Sequence, residues 1–590
     1  MNAAADTDLT LLPPPEAPAE TPPASSPRAL SAVVLSAALI VLAWMILQLW
    51  GLGRAPFHTK GEPREGLVVW EMTHGGGWIL PKRNGTELPS KPPLFHWLGA
   101  LTSLARGATD EWSIRFPSAA LSLLGLLCVF AAGTALWSSR GGLVAALVLM
   151  TTFEWARAAT NARVDMTLTF GLELAFLSLL FFLRSRAAGW LVPLYVGITL
   201  AVLGKGPVGA ALPGLVAVIM LVLMRDVGPL RQMRLGRGAL AVGIGAGTWY
   251  VLALVLGGWA FFRKQVLAEN VFTFLDSADF GGGHRHSPFY LLGALLLGLL
   301  PWTVLLAGVV ARLWRRRAEM SLDDPRVYLL VWIAVVFGFY SIAASKRGVY
   351  LLSLYPAVAL LIGWWWDEVR SADADRQAWL ARLAAVLMWP TLGAVGVLLL
   401  AVLLEGVGVP LCITAQRWLP ADAQPLAPVL SATVRAGGWA LLGCLSLAVA
   451  SLSLGVQATR RMSWRGIFTS LFVTVAALQV AAQQVVKPGI ARALTVRAFM
   501  ADVRQVVGAA DALFFYKTFD YGAVFYWQGH IATYQGSWPA GAPRYALISQ
   551  AEWEGMTDAA RGPYEQVELP GDGNGRGAER LVLVRRLGEQ

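Results

Sequence analysis

Between residues 56 and 98 the chain reads PFHTKGEPREGLVVWEMTHGGGWILPKRNGTELPSKPPLFHWL, a charged stretch in an otherwise apolar sequence. Glu62, Glu65 and Glu71 are mixed there with Lys60, Arg64, Lys82, Arg83 and Lys91. Carboxylates and cations at this density, next to a hydrophobic span, suit a site that handles an anionic headgroup. The same residue types return in short polar breaks further on. Arg157, Arg163 and Asp165 lie in TTFEWARAATNARVDM, Lys205 in LGKGPVG, His284, Arg285 and His286 in FGGGHRHSPF, and Lys346, Arg347 and Tyr350 in SKRGVYLLSLYP. Fixed cations can stabilise a leaving phosphate as it gains charge. A carboxylate within hydrogen-bond reach can take the proton of a hydroxyl nucleophile.

The elements that must hold these residues are membrane helices. Of 590 residues 56% are hydrophobic and 14% charged, with 25 tryptophans, a composition of a polytopic membrane protein rather than a soluble one. Apolar runs long enough to span, or nearly so, fall at 30–50, 117–137, 141–153, 166–183, 190–203, 207–224, 240–261, 289–310, 327–343, 349–366, 384–404, 438–454 and 467–485. The run at 94–104 is too short to cross and reads as an interfacial helix with Trp97 at headgroup level. Residues 1–28, rich in Pro and Ala, read as a disordered cytoplasmic tail and not as a signal peptide. From residue 487 hydropathy falls. A helical stretch near 495–507 is followed by ALFFY, AVFYW, IATYQ, YALIS and LVLVRRL, strand-like runs parted by Gly, Pro and Asp. The expected fold class is a polytopic α-helical membrane protein of about thirteen spans (domain 29–486, with an outer loop at 53–112), carrying a small periplasmic α/β domain at 487–590.

Several features take bland readings. The net charge of +11 fits arginines at span ends and anionic lipid, with no basic-aromatic pattern for nucleic acid. Cys128, Cys412 and Cys444 have no metal or redox spacing. LGKGPVG is not a nucleotide loop; its glycines suit close helix packing, with Lys205 facing an outer cavity. Trp364, Trp365 and Trp366 read as an aromatic belt at a cytoplasmic span end. Glu65 and Glu71 read as solvated or paired on a surface helix. His284 and His286 alone are too few for a metal site, so no cofactor is expected and a divalent metal has no ligand set to support it.

Three ordered motifs carry a resemblance. GEPREGLVVWEM, GGGWILPKRNG and KPPLFHWL resemble the first outer loop of polyprenyl-phosphate-dependent GT-C membrane glycosyltransferases, the superfamily of protein O-mannosyltransferases and lipid A aminoarabinose transferases. The matching positions are Glu62, Arg64, Glu71-Met72, Trp78-Ile79, Pro81, Asn84-Gly85 and Lys91-Pro92-Pro93. The family's leading Asp falls on Gly61. The resemblance implies that Arg64, Lys91 and Tyr350 contact a lipid phosphate and that Asp165 is the second family carboxylate. Lys346 is a further candidate for the phosphate, Arg285 joins by position alone, and His286, Lys205 and Arg347 complete the expected substrate-binding set in the same loops. Glu62, next to the lost Asp, is the expected base, with Asp165 as its partner carboxylate. An acceptor that is itself a phosphate would need no base.

Arginines cluster at 225–237, 312–317 and 460–465, in loops with no other evident use. Placing them in the cytoplasm puts the first loop and the C-terminus in the periplasm. The expected activity is inverting transfer of a sugar from an undecaprenyl-phosphate donor to a lipid, glycan or protein acceptor at the periplasmic face of a bacterial inner membrane. A flippase for lipid-linked saccharides is the rival; it calls for mid-span charges and internal repeats, and neither stands out. A non-catalytic relative is the third reading, kept open by Gly61.

Overall fold

A computed structural model describes residues 27–272, 286–287, 289–370, 374–418, 424–508, 512–536, 538, 543–569 and 580–587. Every expected apolar run is helical. Among the described residues ten helices are long and apolar enough to cross a membrane, and up to twelve spans result if each of two bent pairs counts as one. The bent pairs are Ser139–Thr151 with Phe153–Ala159 (69°) and Tyr290–Gly298 with Trp302–Glu319 (109°). Thr152 in extended conformation breaks the first; Pro301, which has no amide hydrogen to continue a helix, lies in the break of the second. The remaining run is the shorter helix Val208–Met224, and the interfacial run is Leu94–Arg106.

Glycine sets one close helix contact beside the site. Helices Asp165–Ser185 and Leu191–Lys205 meet at Gly171 and Gly197. A Cβ at Gly171 would stand 2.6 Å from the Ala201 nitrogen, and one at Gly197 2.7 Å from the Ala175 nitrogen. Only glycine on both sides lets the backbones approach so closely, as in small-residue packing between membrane helices. The antiparallel register that follows puts Lys205, at the end of one helix, against Asp165, at the start of the other.

Contacts sort the helix ends into two sets. At one end Ser138 bonds Asp367, Arg312 and Arg316 pair with Glu368, and Arg186 pairs with Asp226. At the other, Gln484 bonds the Trp50 carbonyl, Lys487 reaches Asn161 and Lys205 reaches Asp165. Trp364, Trp365 and Trp366 are buried among helices, with Trp366 against Phe468 (5.1 Å) and Arg326 over Trp364 (5.0 Å); they form internal packing, not the expected lipid-facing belt. The expectation of no mid-span charge also fails. Glu173 lies fully buried in the middle of Asp165–Ser185, beside Gly125 and Trp155.

The first loop is part of a core. Its helix Gly61–Thr73 and the helix Leu94–Arg106 bury Val68, Val69, Met72 and Phe95 together with Phe499, Phe515, Phe525 and Leu583 from the C-terminal segment. That segment builds five strands, β1 (Leu513–Tyr516), β2 (Ala532–Tyr534), β3 (Tyr545–Ser549), β4 (Tyr564–Gln566) and β5 (Leu581–Arg586), in the order β2-β1-β3-β5-β4. β1 runs parallel to β2 and β3, while β5 runs antiparallel to β3 and β4. AVFYW, expected as a strand, belongs to the helix Tyr521–Trp527. Asp520 caps that helix, accepting from the Ala523 amide (2.8 Å). The edge strand β4, three residues long, carries too little pattern to read from sequence.

Asn84 joins loop to sheet: its amide donates to the Ile531 carbonyl (2.7 Å) and accepts from the Ile531 amide (2.8 Å). Asn84→Ala removes both bonds and leaves backbone groups unpaired, a cost of about 1–3 kcal/mol. Limited trypsin digestion checks this: cleavage at exposed Lys82 should accelerate severalfold, and an unchanged rate would contradict the coupling.

Candidate active site

Four of the residues singled out from sequence line one cavity of about 320 Å³: Arg157, Arg163, Asp165 and Arg347, joined by Glu154, Asn161 and Tyr290. Asp165 opens its helix, where the helix dipole favours a carboxylate. Its Oδ1 accepts from Lys205 Nζ at 2.6 Å and its Oδ2 faces Arg163 Nε at 3.8 Å. Lys205 sits 4.7 Å from the centre of the Tyr350 ring, which in turn packs on Tyr340. Arg157 is gripped by Glu154 on the same helical turn, Nε to Oε2 at 2.9 Å and Nη2 to Oε1 at 2.5 Å. His286 stacks on Tyr290 at 4.0 Å, at the cavity wall. Lys346 is buried, with Nζ on the Ala343 carbonyl (2.8 Å). His284 and Arg285 lie outside the described residues.

Glu62 sits elsewhere. It is 3% exposed, and Arg115 grips both of its oxygens, Nε to Oε1 at 2.7 Å and Nη2 to Oε2 at 2.9 Å. The Ala162 amide adds a third bond at 3.0 Å. Arg115 donates from Nη1 to the Leu52 and Ala55 carbonyls as well. Burial raises the Glu62 pKa, but the charge and hydrogen bonds of Arg115 outweigh it and bring the pKa down to about 2. Such a carboxylate is an anchor, not a base: its lone pairs are taken and it holds protons too weakly.

Gly61 leaves room that is already filled. A methyl group at this position would overlap Nη1 of Arg163. Where the resembling family carries a carboxylate, this chain therefore carries a guanidinium reaching across from the 160–165 turn. Arg64 lies one helical turn past Gly61 and pairs with Glu65 at 2.7 Å. Glu65 is buried, bonded also to His96 (2.9 Å), and its pKa falls well below the ordinary carboxylate range because those partners overcome its burial. Glu71 is likewise buried and paired, with His530 at 2.7 Å. Lys91 reaches Glu269 at 2.7 Å. Arg64 and Lys91 thus form a second cationic group, tied to carboxylates outside the cavity lining. Among the described residues no three His, Cys, Asp or Glu side chains cluster as metal ligands.

Sequence reasoning missed Arg115, Glu154, Lys487 and Glu269. Arg115 had a signal: a cation four residues past Glu111, just where an apolar span begins. Glu154 had one too, three residues before Arg157 on a helix. Glu269 had none, because its partner lies 178 positions away.

Residues 90–244 match the family of dolichyl-phosphate-mannose-protein mannosyltransferases. The undecaprenyl phosphate-alpha-4-amino-4-deoxy-L-arabinose arabinosyl transferase of Aeromonas hydrophila is 26% identical over 328 residues, covering 54% of this chain and 58% of the relative. The transferase of that name in Edwardsiella ictaluri is 28% identical over 400 residues, 65% of this chain and 67% of the relative. The chain thus spans little more than half to two thirds of these relatives. The crystal structure of ArnT from Cupriavidus metallidurans bound to undecaprenyl phosphate superposes with a TM-score of 0.71 at 21% identity, over 95% of this chain and all of that one.

The chain has the GT-C fold. The likeness of fold extends over nearly the whole chain.

The Glu62 clamp makes a pH prediction. With a folded pKa of about 2 against an ordinary 4.5, its contribution is complete above about pH 5 and is lost as pH falls towards 2. Glu62→Gln leaves Arg115 buried without its counter-charge and should cost about 3–5 kcal/mol at neutral pH. Thermal unfolding in detergent should show the wild type losing its advantage over the variant between pH 5 and 2. A constant difference across that window would contradict the pairing.

Proposed function

We propose that this chain is an inverting glycosyltransferase that moves a sugar from an undecaprenyl-phosphate donor to a lipid, glycan or protein acceptor. The observation that carries the reading is the cavity itself: a lysine-held carboxylate beside three arginines, at one end of a membrane-helix bundle. The fold shared with ArnT and the names of the curated relatives support the same donor class.

In the proposed reaction an acceptor oxygen attacks the anomeric carbon of the sugar. The bond from that carbon to the phosphate oxygen breaks, and undecaprenyl phosphate leaves with the electron pair. Arg163 and Arg347 stabilise the charge that grows on the phosphate, and Arg64 and Lys91 are proposed to leave their carboxylates and reach it from the neighbouring cationic group; Arg285, outside the described residues, is kept from the sequence reading. Lys205 and Tyr350 set the Asp165 carboxylate, and His286 and Lys346 shape the cavity's edges. Asp165 takes the proton of a hydroxyl acceptor; an ionised phosphate acceptor needs no transfer. Glu62, expected from sequence as the base, is assigned instead to holding the Ala162 turn that carries Arg163 and Asp165. A single displacement at the anomeric carbon gives inversion.

The cavity is proposed to face the periplasm of a bacterial inner membrane. The arginine groups at 225–237, 312–317 and 460–465 mark the opposite helix ends, as cytoplasmic loops do. In a cysteine-free background, Thr86→Cys should react with a membrane-impermeant thiol reagent in spheroplasts and Asp323→Cys should not. The reverse pattern would move the site to the cytoplasm.

Activity is tested by mass spectrometry of envelope lipids from a deletion strain and its complemented derivatives. The wild-type gene should restore the glycosylated product. Arg64→Ala and Lys91→Ala should each lower its formation roughly a hundredfold, and Asp165→Asn at least as much if the acceptor is a hydroxyl. Gly61→Ala, whose methyl displaces Arg163 without changing charge, should lower it roughly ten- to hundredfold. Lipid, glycan and protein-glycosylation profiles that are all identical in deletion and parent strains would overturn the reading.

A further inference from the structure

A second cavity lies at the other end of the Leu191–Lys205 helix, about 460 Å³ in volume. Its walls are Leu191, Val192, Val196 and Leu200, and Arg234 and Arg237 stand at its edge. Val192 is 69% and Val196 45% exposed, so the groove opens outward where a lipid would lie. Its floor is the Tyr195 ring seated on Gly238, where any methyl would overlap the ring, and the Tyr195 hydroxyl donates to the Met233 carbonyl at 2.7 Å. That bond joins the Leu191–Lys205 helix to the turn carrying Arg234, whose φ of 52° projects it from a left-handed corner. Both arginines are exposed, and neither has an ion pair among the described residues.

We propose that this groove is a binding site for one anionic glycerophospholipid, with its phosphate on Arg234 and Arg237 and an acyl chain along Val192, Val196 and Leu200. The charge complementarity is direct: an apolar trough ends at two guanidinium groups at a span end, where basic pockets between helices take anionic headgroups. The donor lipid is a poor occupant. Ala188, at the groove, is 17 residues from Lys205, roughly 25 Å along the helix axis. A lipid whose phosphate must enter the Asp165 cavity cannot also place it on Arg234. The site therefore belongs to a structural lipid of the opposite leaflet, bracing two helices, and it stands whether or not the chain transfers sugar.

Native mass spectrometry of the full chain, released from nanodiscs of equal phosphatidylglycerol and phosphatidylcholine, tests the site. The wild type should retain one phosphatidylglycerol in preference to phosphatidylcholine. R234Q/R237Q should lower that retention roughly twentyfold, about fivefold for each arginine. V196W, which fills the trough and keeps both charges, should lower it to a similar degree. Circular dichroism and thermal unfolding should match the wild type in both variants, since all three side chains are exposed. Equal retention of the two lipids overturns the proposal, as does undiminished retention in either variant. Displacement of the phosphatidylglycerol by added undecaprenyl phosphate also overturns it, because it would give the groove to the donor lipid.

Discussion

One buried ion pair fixes the geometry on which the site depends. Glu62 comes from the first loop, and Arg115 from the start of the next membrane helix. Arg115 also binds the carbonyls that close the first span, and Glu62 binds the amide of Ala162. The end of the first span, the first loop, the next membrane helix and the Ala162 turn are thereby tied at a single point. Desolvating two charges is costly, and the pair repays it through bidentate geometry and further hydrogen bonds. Three residues past Ala162 stands Asp165, so the clamp sets the height and angle of the carboxylate that faces the cavity.

From below, the Gly171–Gly197 contact sets the same carboxylate against Lys205. From the side, Gly61 yields its space to Arg163. Each is a packing constraint with an electrostatic consequence. Removing a Cβ lets two backbones meet, and the meeting brings opposite charges within 2.6 Å. Removing a carboxylate from the loop lets a guanidinium enter, which makes the cavity more cationic. Such a field favours anionic groups over cationic ones in the cavity.

Much of this was legible in the sequence, and for physical reasons. Membrane spans announce themselves by length and hydropathy, so every apolar run proved helical. The site loops could be grouped because alternate span ends must share a side, and Arg157, Arg163, Asp165 and Arg347 do share a cavity. What failed was anything set by long-range contact. Glu62 looked like a base because it stood beside the missing Asp; its pairing with Arg115, 53 positions away, leaves no local pattern. The three tryptophans looked like a belt because composition cannot tell a lipid-facing helix side from a buried one. AVFYW has strand propensity, and only the Asp520 cap and its packing against the first loop make it helical. Glu173 was overlooked inside an apolar run, although a carboxylic acid in mid-membrane is the kind of residue that function retains.

The Asp165 cavity is proposed to receive the phosphate of a polyprenyl lipid. Electron cryo-microscopy of the full chain in nanodiscs loaded with undecaprenyl phosphate measures this directly. The account predicts phosphate density within hydrogen-bond distance of Arg163 or Arg347, beside Asp165 and Lys205, with the isoprenoid tail leading away between helices. Phosphate density elsewhere, with this cavity holding only solvent, would contradict it.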